Sequence, residues 1–159
     1  MKAPMTNAIR AVQKAGVEYE LMAYKYEEHG GTRVGARELG VDEHRVIKTI
    51  ICQTEEKPIV PFVVLMHGDC EISTKAMARF LNVKGVKVCD PKDADKYSGY
   101  HVGGTSPFGT KREMTVYVQK SILDLPEIYI NAGSRGLLFK MNPADLAKVV
   151  KTEAVEAEQ

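Results

Sequence analysis

Two apolar runs rich in β-branched residues place the strongest limit on how this chain can fold. They span residues 46–52 and 59–66 and are separated by the polar segment 54–58. Runs of this length and composition are typical of β-strands, and a short polar loop between two of them favours a paired arrangement. The sequence therefore predicts two adjacent strands in this part of the chain.

Five segments carry the signals of helix ends. The signals are a glycine after an apolar helical pattern, or an Asn, Asp, Ser or Thr where a first turn would begin. They fall at Gly16, at Thr32 or a neighbour with Gly40 as the end, at Ser73, at Asp90-Pro91 and at Asn142-Pro143. After the last of these helices we expect the charged tail, residues 153–159, to fray.

Further strands are predicted where apolar residues alternate with polar ones or β-branched residues cluster. These segments are 17–21, in which Val17, Tyr19 and Leu21 form one face, and 115–118, 127–131 and 137–141. Because helices and strands intermix with short connections, the predicted fold class is α+β, with a mixed, barrel-like sheet and surrounding helices. No composition shift marks a linker, so we expect a single domain over residues 1–159.

Composition narrows the functional classes. Lys and Arg total 22 against 21 acidic residues, so the net charge of +1 gives no general attraction to nucleic acid. The three cysteines are widely spaced, which is typical of reduced thiols in a cytoplasmic protein and argues against a zinc site. The first residues lack the apolar core of a signal peptide, and no apolar run is long enough to span a membrane. We therefore expect a cytoplasmic protein without membrane contact.

The densest motif is the segment 99–109, which holds four glycines, one proline and two aromatic residues. The pair Gly103-Gly104 would let main-chain N–H groups approach a ligand that a Cβ atom would repel, for example a carbonyl or phosphate oxygen. The spacing matches neither a P-loop nor a dinucleotide-binding fingerprint. A tight turn without a binding role is the equally supported alternative.

Lys48 is a lone cation in the apolar run 46–52, where strand alternation places it on the same face as Val46 and Ile50. Lysines are rarely buried without a partner. Lys48 therefore pairs with a carboxylate, lies on an exposed edge strand or lines an anion-binding cleft. Position alone favours the edge.

A second loop, residues 131–136, lies between two predicted strands, and its simplest interpretation is a glycine-containing hairpin turn. Arg135 could bind a phosphate, and Asn131 and Ser134 could hydrogen-bond a ligand. The four histidines lack a common metal-ligand spacing, and neither a Gly-x-Ser-x-Gly motif nor a carboxylate pair is present. The sequence predicts no metal, no cofactor and no self-evident general base.

Three motifs taken in order resemble the YbaK family of aminoacyl-tRNA deacylases, relatives of the editing domain inserted in bacterial prolyl-tRNA synthetases. They are Lys48-Thr49-Ile50, the segment 99–109 and Gly133-Ser134-Arg135-Gly136-Leu137, and Tyr24 matches a family tyrosine at the end of the first strand. The resemblance spans nearly the whole chain and favours the cleft position for Lys48. It implies hydrolysis of the ester that joins a wrong amino acid to the 3′ end of tRNA, chiefly tRNA(Pro).

The resemblance also implies roles for individual residues. Lys48 would hold the terminal adenosine, while the N–H groups of Gly103 and Gly104 polarise the ester carbonyl for attack by water or by the thiol of a cysteinyl substrate. The substrate-binding residues that it implies are Tyr24, Tyr100, Ser106, Asn131, Gly133, Ser134, Arg135 and Leu138. The expected partner is tRNA, with prolyl-tRNA synthetase as a second candidate.

Two positions depart from the pattern of the cysteine-specific members. Asn131 stands where those members commonly have serine, and Leu138 stands where they have aspartate. Cysteine, alanine, serine or threonine, and small aliphatic amino acids therefore stay open as substrates. A non-catalytic module that binds the tRNA end or a partner protein through the same pocket is the alternative to the enzyme.

Overall fold

The structure of the chain, a computed structural model, describes residues 4–159; Met1, Lys2 and Ala3, where no signal peptide is predicted, lie outside the described residues. Within this range the α-helices are α1 (Asn7–Lys14), α2 (Gly31–Leu39), α3 (Thr74–Leu81), α4 (Pro91–Ser98) and α5 (Leu146–Val149). The strands are β1 (Glu20–Ala23), β2 (Val46–Thr54), β3 (Pro61–His67), β4 (Val86–Val88), β5 (Val116–Gln119), β6 (Ile128–Ser134), β7 (Leu137–Met141) and β8 (Thr152–Val155). Short 3-10 helices cover Glu43–Arg45, Lys120–Asp124 and Pro143–Asp145.

The eight strands of the described chain form one mixed sheet. Seven follow the order β1-β7-β6-β2-β3-β5-β8, and β4 pairs with β2. The two apolar runs form β2 and β3, which pair antiparallel from Ile47 opposite His67 to Gln53 opposite Pro61. The pairs β2–β6, β3–β5 and β5–β8 are parallel. The predicted mixed sheet of an α+β fold is confirmed.

The interior strand β2 has a gap along one of its edges. β3 covers the other edge completely, whereas β6 pairs only with Val46 and Ile47, and β4 pairs only with residues 52–54. Between these two contacts, residues 48–51 have no strand beside them on this edge within the described chain. The gap determines where the candidate site lies.

Helices cover both faces of the sheet. One face forms the main core with α1 and α4, through Ile9, Ala94 and the strand residues Ile47, Ile130 and Phe139. On the opposite face, α3 packs Met77 against β3, and α2 packs Ala36 against Val46. The predicted caps are confirmed, since Ser73 Oγ accepts a hydrogen bond from Ala76 N at 3.1 Å and Asp90 Oδ1 accepts one from Asp93 N at 2.9 Å. Within residues 4–159, every helix is too short or too polar to cross a membrane.

The C-terminal tail differs most from its prediction, because it does not fray. β8 pairs in parallel with β5, and Val155 and Ala157 are buried. The Gln159 N–H donates to the Glu71 carbonyl at 2.9 Å. Apolar residues alternate with glutamates in this segment, as in a half-buried strand, and the charges concealed that pattern.

Two smaller predictions are corrected as well. Gly30 rather than Thr32 is the N-cap of α2, and the Thr32 hydroxyl instead donates to Glu43 Oε2 at 2.8 Å. β1 begins only at Glu20, and Leu21, which was expected on a buried face, is 36% exposed. This strand pairs with β7 alone and contributes little to the core.

Candidate active site

The gap beside β2 opens into a cavity of about 590 Å³. This volume lies within the range of roughly 300–1,000 Å³ that is typical of small-molecule sites. Residues 46–51 of β2 form one wall, and the β6–β7 hairpin, α2, the start of α4 and the segment 102–105 form the others. Of the residues predicted for the site, those that line the cavity are Tyr24, Lys48, Gly103, Asn131, Arg135 and Leu138.

Lys48 lies on an interior strand, so the edge interpretation is wrong. Its side chain is 25% exposed, and Nζ is 3.4 Å from Oε1 of Glu71, whose side chain is 80% exposed. An ion pair with so exposed a carboxylate contributes at most about 1 kcal/mol. The lysine therefore has a carboxylate neighbour and also faces the cavity, where an anionic ligand could displace Glu71.

Thr49 is a polar residue of the cavity that the sequence analysis did not select. Cys89 N–H donates to the Ile51 carbonyl at 2.9 Å, so the main chain of Ile51, and that of Thr49 two residues earlier, points toward the gap. The Thr49 hydroxyl oxygen is buried and has no hydrogen-bond partner among residues 4–159. An unsatisfied buried polar group costs about 1–3 kcal/mol. Because this oxygen has almost no accessible surface, a ligand recovers this free energy only if the side chain rotates toward the cavity.

The glycine-rich segment has two anchors in the core, Tyr100 and Ser106. The Tyr100 hydroxyl donates to the Phe108 carbonyl at 2.6 Å, and burial raises the pKa of this tyrosine to about 12, so it stays a donor. Ser106 is fully buried, and its Oγ accepts a hydrogen bond from Phe108 N at 3.3 Å. Neither side chain lines the cavity. The structure therefore does not support their predicted contact with substrate; they close the loop.

Residues 102–105, which we call the tip, reach the cavity between these anchors. Gly103 has a φ of 93°, and a Cβ atom there would collide with the Tyr26 hydroxyl. Its N–H has no main-chain acceptor within residues 4–159. The Gly104 N–H, in contrast, donates to the His101 carbonyl at 2.8 Å, and Gly104 is buried. Of the two predicted main-chain donors, only Gly103 is therefore placed to reach a ligand.

The β6–β7 hairpin holds the tip in place, and its predicted turn is confirmed. Asn131 Nδ2 donates to the Gly103 carbonyl at 3.1 Å. Arg135 Nε donates to the Val102 carbonyl at 2.9 Å, and its guanidinium carbon lies 5.2 Å from the centre of the Tyr26 ring. Both polar side chains thus position the tip while they line the cavity.

Gly133 and Ser134 do not line the cavity. They lie in the bulge where the register of the hairpin shifts, and Gly133 N–H donates to Asn131 Oδ1 at 2.7 Å. A Cβ atom on Gly133, which has a φ of 91°, would lie 2.8 Å from the Tyr100 ring. These two residues shape the hairpin that carries Asn131.

Tyr24, Gly35 and Leu138 form the apolar end of the cavity. Burial, and secondarily Tyr26, raises the pKa of Tyr24, so its hydroxyl stays protonated near neutral pH. A Cβ atom on Gly35 would lie 3.5 Å from the Tyr24 ring and 3.6 Å from a Leu138 methyl, which is ordinary contact. A glycine inside a helix gave no sequence signal for a site, yet its missing side chain enlarges the cavity here.

Cys89 also lines the cavity but is not set up as a nucleophile. Burial, followed by the charges of Asp93 and Asp90, raises the pKa of this thiol to about 11. The thiol donates to Gln53 Oε1 at 3.4 Å. Because the thiolate is the reactive form of cysteine, this side chain is inert near neutral pH.

Comparison with known proteins places this geometry in a family. Residues 30–149 match the model of the aminoacyl-tRNA editing domain. EbsC of Enterococcus faecalis, provisionally named a Cys-tRNA(Pro)/Cys-tRNA(Cys) deacylase, is 28% identical over 152 residues, which are 95% of this chain and 92% of EbsC. The proline–tRNA ligase of Limosilactobacillus fermentum is 24% identical over 103 residues, 64% of this chain but only 18% of the ligase.

A solved structure has the same fold. It is provisionally described as a trans-editing enzyme for prolyl tRNA synthetase and superposes with a TM-score of 0.85 at 16% identity, covering 99% of both chains. The family resemblance drawn from the three motifs is confirmed by the family model. Because that model matches most of the chain, the protein belongs to the aminoacyl-tRNA editing domain family.

Proposed function

We propose that this chain hydrolyses the ester bond between a misacylated amino acid and the 3′ end of a tRNA, most often tRNA(Pro). The observation that carries the proposal is the cavity at the gap in the sheet. There Lys48, Thr49 and Gly103 line one space, and the Gly103 N–H has no main-chain acceptor within residues 4–159. Such a set can bind an ester of a nucleoside without a metal ligand or a nucleophilic side chain.

The reaction needs a polarised carbonyl and a positioned nucleophile. The ester carbonyl oxygen accepts a hydrogen bond from the N–H of Gly103, a residue that lines the cavity and whose N–H has no main-chain acceptor within residues 4–159. Water adds to the carbonyl carbon, and the bond to the ribose oxygen breaks, which releases the free amino acid and a tRNA with an intact 3′ hydroxyl. With a cysteinyl substrate, the thiol of the substrate can attack in place of water: the bond to the ribose oxygen breaks, the thiol proton ends on that oxygen, and water then opens the cyclic thioester to free cysteine.

Lys48 and Arg135 supply the positive charge that holds the nucleic-acid end. Both line the cavity, and Glu71, the carboxylate next to Lys48, is largely exposed and can be displaced. A phosphate or ribose group of the terminal adenosine would replace Glu71 as the partner of Lys48. With a net charge of +1 for the whole chain, the affinity for tRNA depends on these local cations.

The identity of the amino acid is set at the apolar end of the cavity. Asn131 and Leu138, the two departures from the cysteine-specific pattern, are opposite each other in the β6–β7 register. Leu138 is 4% exposed and packs in one cluster with Ala36 and Val46. A small side chain such as that of cysteine or alanine suits this surface. Size discrimination of this kind is graded, at about 1–3 kcal/mol per methylene.

The proposed partner is tRNA, on which this chain acts in the cytoplasm as a separate editing protein. Similarity to one segment of a proline–tRNA ligase supports tRNA(Pro) as the acceptor and makes the synthetase a candidate second partner. A separate editing protein would act either on tRNA that the synthetase has already released or on tRNA that the synthetase transfers to it directly.

The test is deacylation of a panel of tRNA(Pro) species charged with cysteine, alanine, serine or proline. We expect release of at least one small non-proline amino acid by catalytic amounts of protein, and no release of proline. The control is the same tRNA incubated with buffer, because aminoacyl esters hydrolyse slowly by themselves. A protein that retards the tRNA on a gel but releases no amino acid from any species would be a binding module, and the enzymatic proposal would fail.

A further inference from the structure

A second cluster of chemically active side chains lies outside the cavity. It joins the 3-10 helix Glu43–Arg45 to the turn that follows β3, and its donor atoms belong to His44, Asp69 and Cys70. These three atoms lie within 4.8 Å of one another. Spacing along the chain predicts no metal site, because the three residues are not all close in sequence. The fold brings together a histidine and an Asp-Cys pair that are 25 residues apart.

The donor atoms have the separations of ligands around one small ion. His44 Nδ1 is 2.8 Å from Asp69 Oδ1, and Cys70 Sγ is 3.4 Å from the same oxygen. Zinc bonds of about 2.0–2.3 Å give tetrahedral edges of about 3.3–3.8 Å, so the sulfur–oxygen separation fits, and the hydrogen-bonded nitrogen–oxygen pair would open by about 0.5 Å to admit the ion. His44 and Asp69 are 38% and 43% exposed, so an ion can reach the cluster from solvent.

The surroundings hold the imidazole of His44 in place. His44 stacks on His67 with ring centroids 3.7 Å apart and an angle of 6° between the planes. His67 is fully buried, with Nδ1 2.7 Å from the His44 carbonyl and Nε2 2.6 Å from Ser121 Oγ. A fixed ring that presents Nδ1 to a carboxylate and a thiol loses little freedom when it binds a metal.

The C-terminal segment passes next to the cluster and carries one further carboxylate, that of Glu158. Ile72 and Glu158 form an isolated antiparallel bridge, and Gln159 N–H donates to the Glu71 carbonyl at 2.9 Å. Glu158 is exposed, and its carboxylate is not among the three donor atoms that lie within 4.8 Å of one another. His44 is the only cation-forming side chain among the three donors, so the thiol and the Asp69 carboxylate lie together with little positive charge between them.

We propose that His44, Asp69 and Cys70 bind a divalent transition-metal ion of the zinc class, with Glu158 or water as the fourth ligand. Nitrogen, sulfur and oxygen donors in one tetrahedral set favour zinc over magnesium or calcium, which prefer oxygen alone. The ion displaces the proton of the thiol, which goes to solvent, and binds Nδ1 of neutral His44, whose ring proton is then on Nε2. It ties the C-terminal segment to the turn before Glu71, the neighbour of Lys48.

The test uses the full chain, stripped with a chelator and titrated with Co²⁺ and then with Zn²⁺. We expect one equivalent of Co²⁺ to bind with an absorption band from thiolate-to-cobalt charge transfer, and Zn²⁺ to abolish that band. Zn²⁺ should also raise the melting temperature, because an ion that binds only the folded state stabilises it. Neither readout depends on deacylation, so this proposal and the proposed function can fail separately.

Variants show which residues bind the ion. Cys70→Ser should lose the charge-transfer band, and His44→Gln should weaken binding by at least about 10–100-fold, the loss typical even of residues that only support a metal ligand. The matched control is His101→Gln, because His101 Nδ1 lies 3.1 Å from Asp95 Oδ2 in a similar pair that lacks a thiol. Circular dichroism confirms that each variant is folded.

Three outcomes would overturn the proposal. The parent protein could give no charge-transfer band, Cys70→Ser could keep the band, or His101→Gln could weaken binding as much as His44→Gln does. Loss of the band in folded Cys70→Ser, with full binding in His101→Gln, supports the site.

Discussion

The tip and the anchors of the glycine-rich segment lie within a few residues of each other but in opposite environments. At the tip, Gly103 lines the cavity and its carbonyl is held by Asn131. Among the anchors, Tyr100 and Ser106 are buried and bond to the main chain of the segment itself. One motif thus contains both the buried anchors that fix the loop and the short tip that lines the cavity. The many glycine and aromatic residues identify the whole loop in the sequence. Only the structure shows that the tip alone lines the cavity.

The largest effect is expected from adding a methyl group to each of two glycines with positive φ. Gly109 has a φ of 64°, and its Cβ would lie 2.5 Å from the Asn7 carbonyl oxygen. Gly109→Ala should therefore lower the free energy of unfolding by at least about 1–2 kcal/mol and leave turnover per folded molecule unchanged. Alanine at position 103 keeps the N–H, but its Cβ collides with Tyr26 and is strained at positive φ, so the donor is displaced. Gly103→Ala should therefore cost about as much as loss of one donor, about 2.7–4 kcal/mol of transition-state stabilisation or roughly 100- to 1,000-fold in rate.

Melting curves and single-turnover deacylation on both variants measure the two effects. If Gly103→Ala keeps its rate while Gly109→Ala loses it, the division between tip and anchor is wrong.

Lys48, which shares the cavity with the tip, should give the next largest effect. Lys48→Ala should slow deacylation by about 10- to 100-fold, since a hydrogen bond to a charged group is worth ~1.5–3 kcal/mol. Lys84→Ala is the control, because the Lys84 side chain is 83% exposed and pairs only with Glu56 at 3.7 Å. Equal rates for the two variants in a single-turnover assay would remove Lys48 from the site.

Tyr100→Phe tests the role of the anchors. The change leaves the buried Phe108 carbonyl without its donor at 2.6 Å, so we expect a loss of about 1–3 kcal/mol in the free energy of unfolding. Turnover per folded molecule should stay at the parent level. Urea denaturation measures the free energy of unfolding. The deacylation rate divided by the concentration of folded protein measures turnover. A slow but fully stable variant would mean that the anchor touches substrate after all.

The smallest change is expected from Gly35→Ala, which should stabilise the protein. Alanine in the helix α2 is favoured over glycine by about 0.4–1 kcal/mol, and the added methyl meets Tyr24 and Leu138 only at ordinary contact distance. The methyl narrows the apolar end of the cavity, so deacylation of larger amino acids should fall more than that of alanine. A variant with a higher melting temperature and unchanged rate ratios across the charged tRNAs would show that this end does not contact the amino acid.

Local signals predicted most of the framework. The apolar runs gave β2 and β3, and the capping residues Ser73 and Asp90 began the helices where expected. These features depend on neighbours along the chain. β8 was missed because it has only four residues, and the three glutamates of residues 153–158 made the whole tail look polar.

The site depended on contacts between distant segments, which no local pattern reports. Lys48 looked like an edge residue until the sheet order placed β2 between β3 and β6. Thr49 lies beside the gap because the pairing of β6 with β2 ends at Ile47. The donor role of Gly104 was lost to a bond with His101 inside its own turn. The family resemblance, rather than periodicity, put Lys48, Gly103 and Asn131 in one pocket before the structure did.

We expect the aminoacylated 3′ end to bind in the gap beside β2, which the tip closes. An NMR titration of ¹⁵N-labelled protein with an adenosine analogue that carries alanine in a non-hydrolysable amide at the 3′ position tests this placement. The largest amide shifts should occur at Gly103 and Thr49, with Gly109 unchanged as the reference in the anchored part of the loop. Shifts concentrated elsewhere, with Gly103 and Thr49 unmoved at saturation, would show that the 3′ end binds at another place.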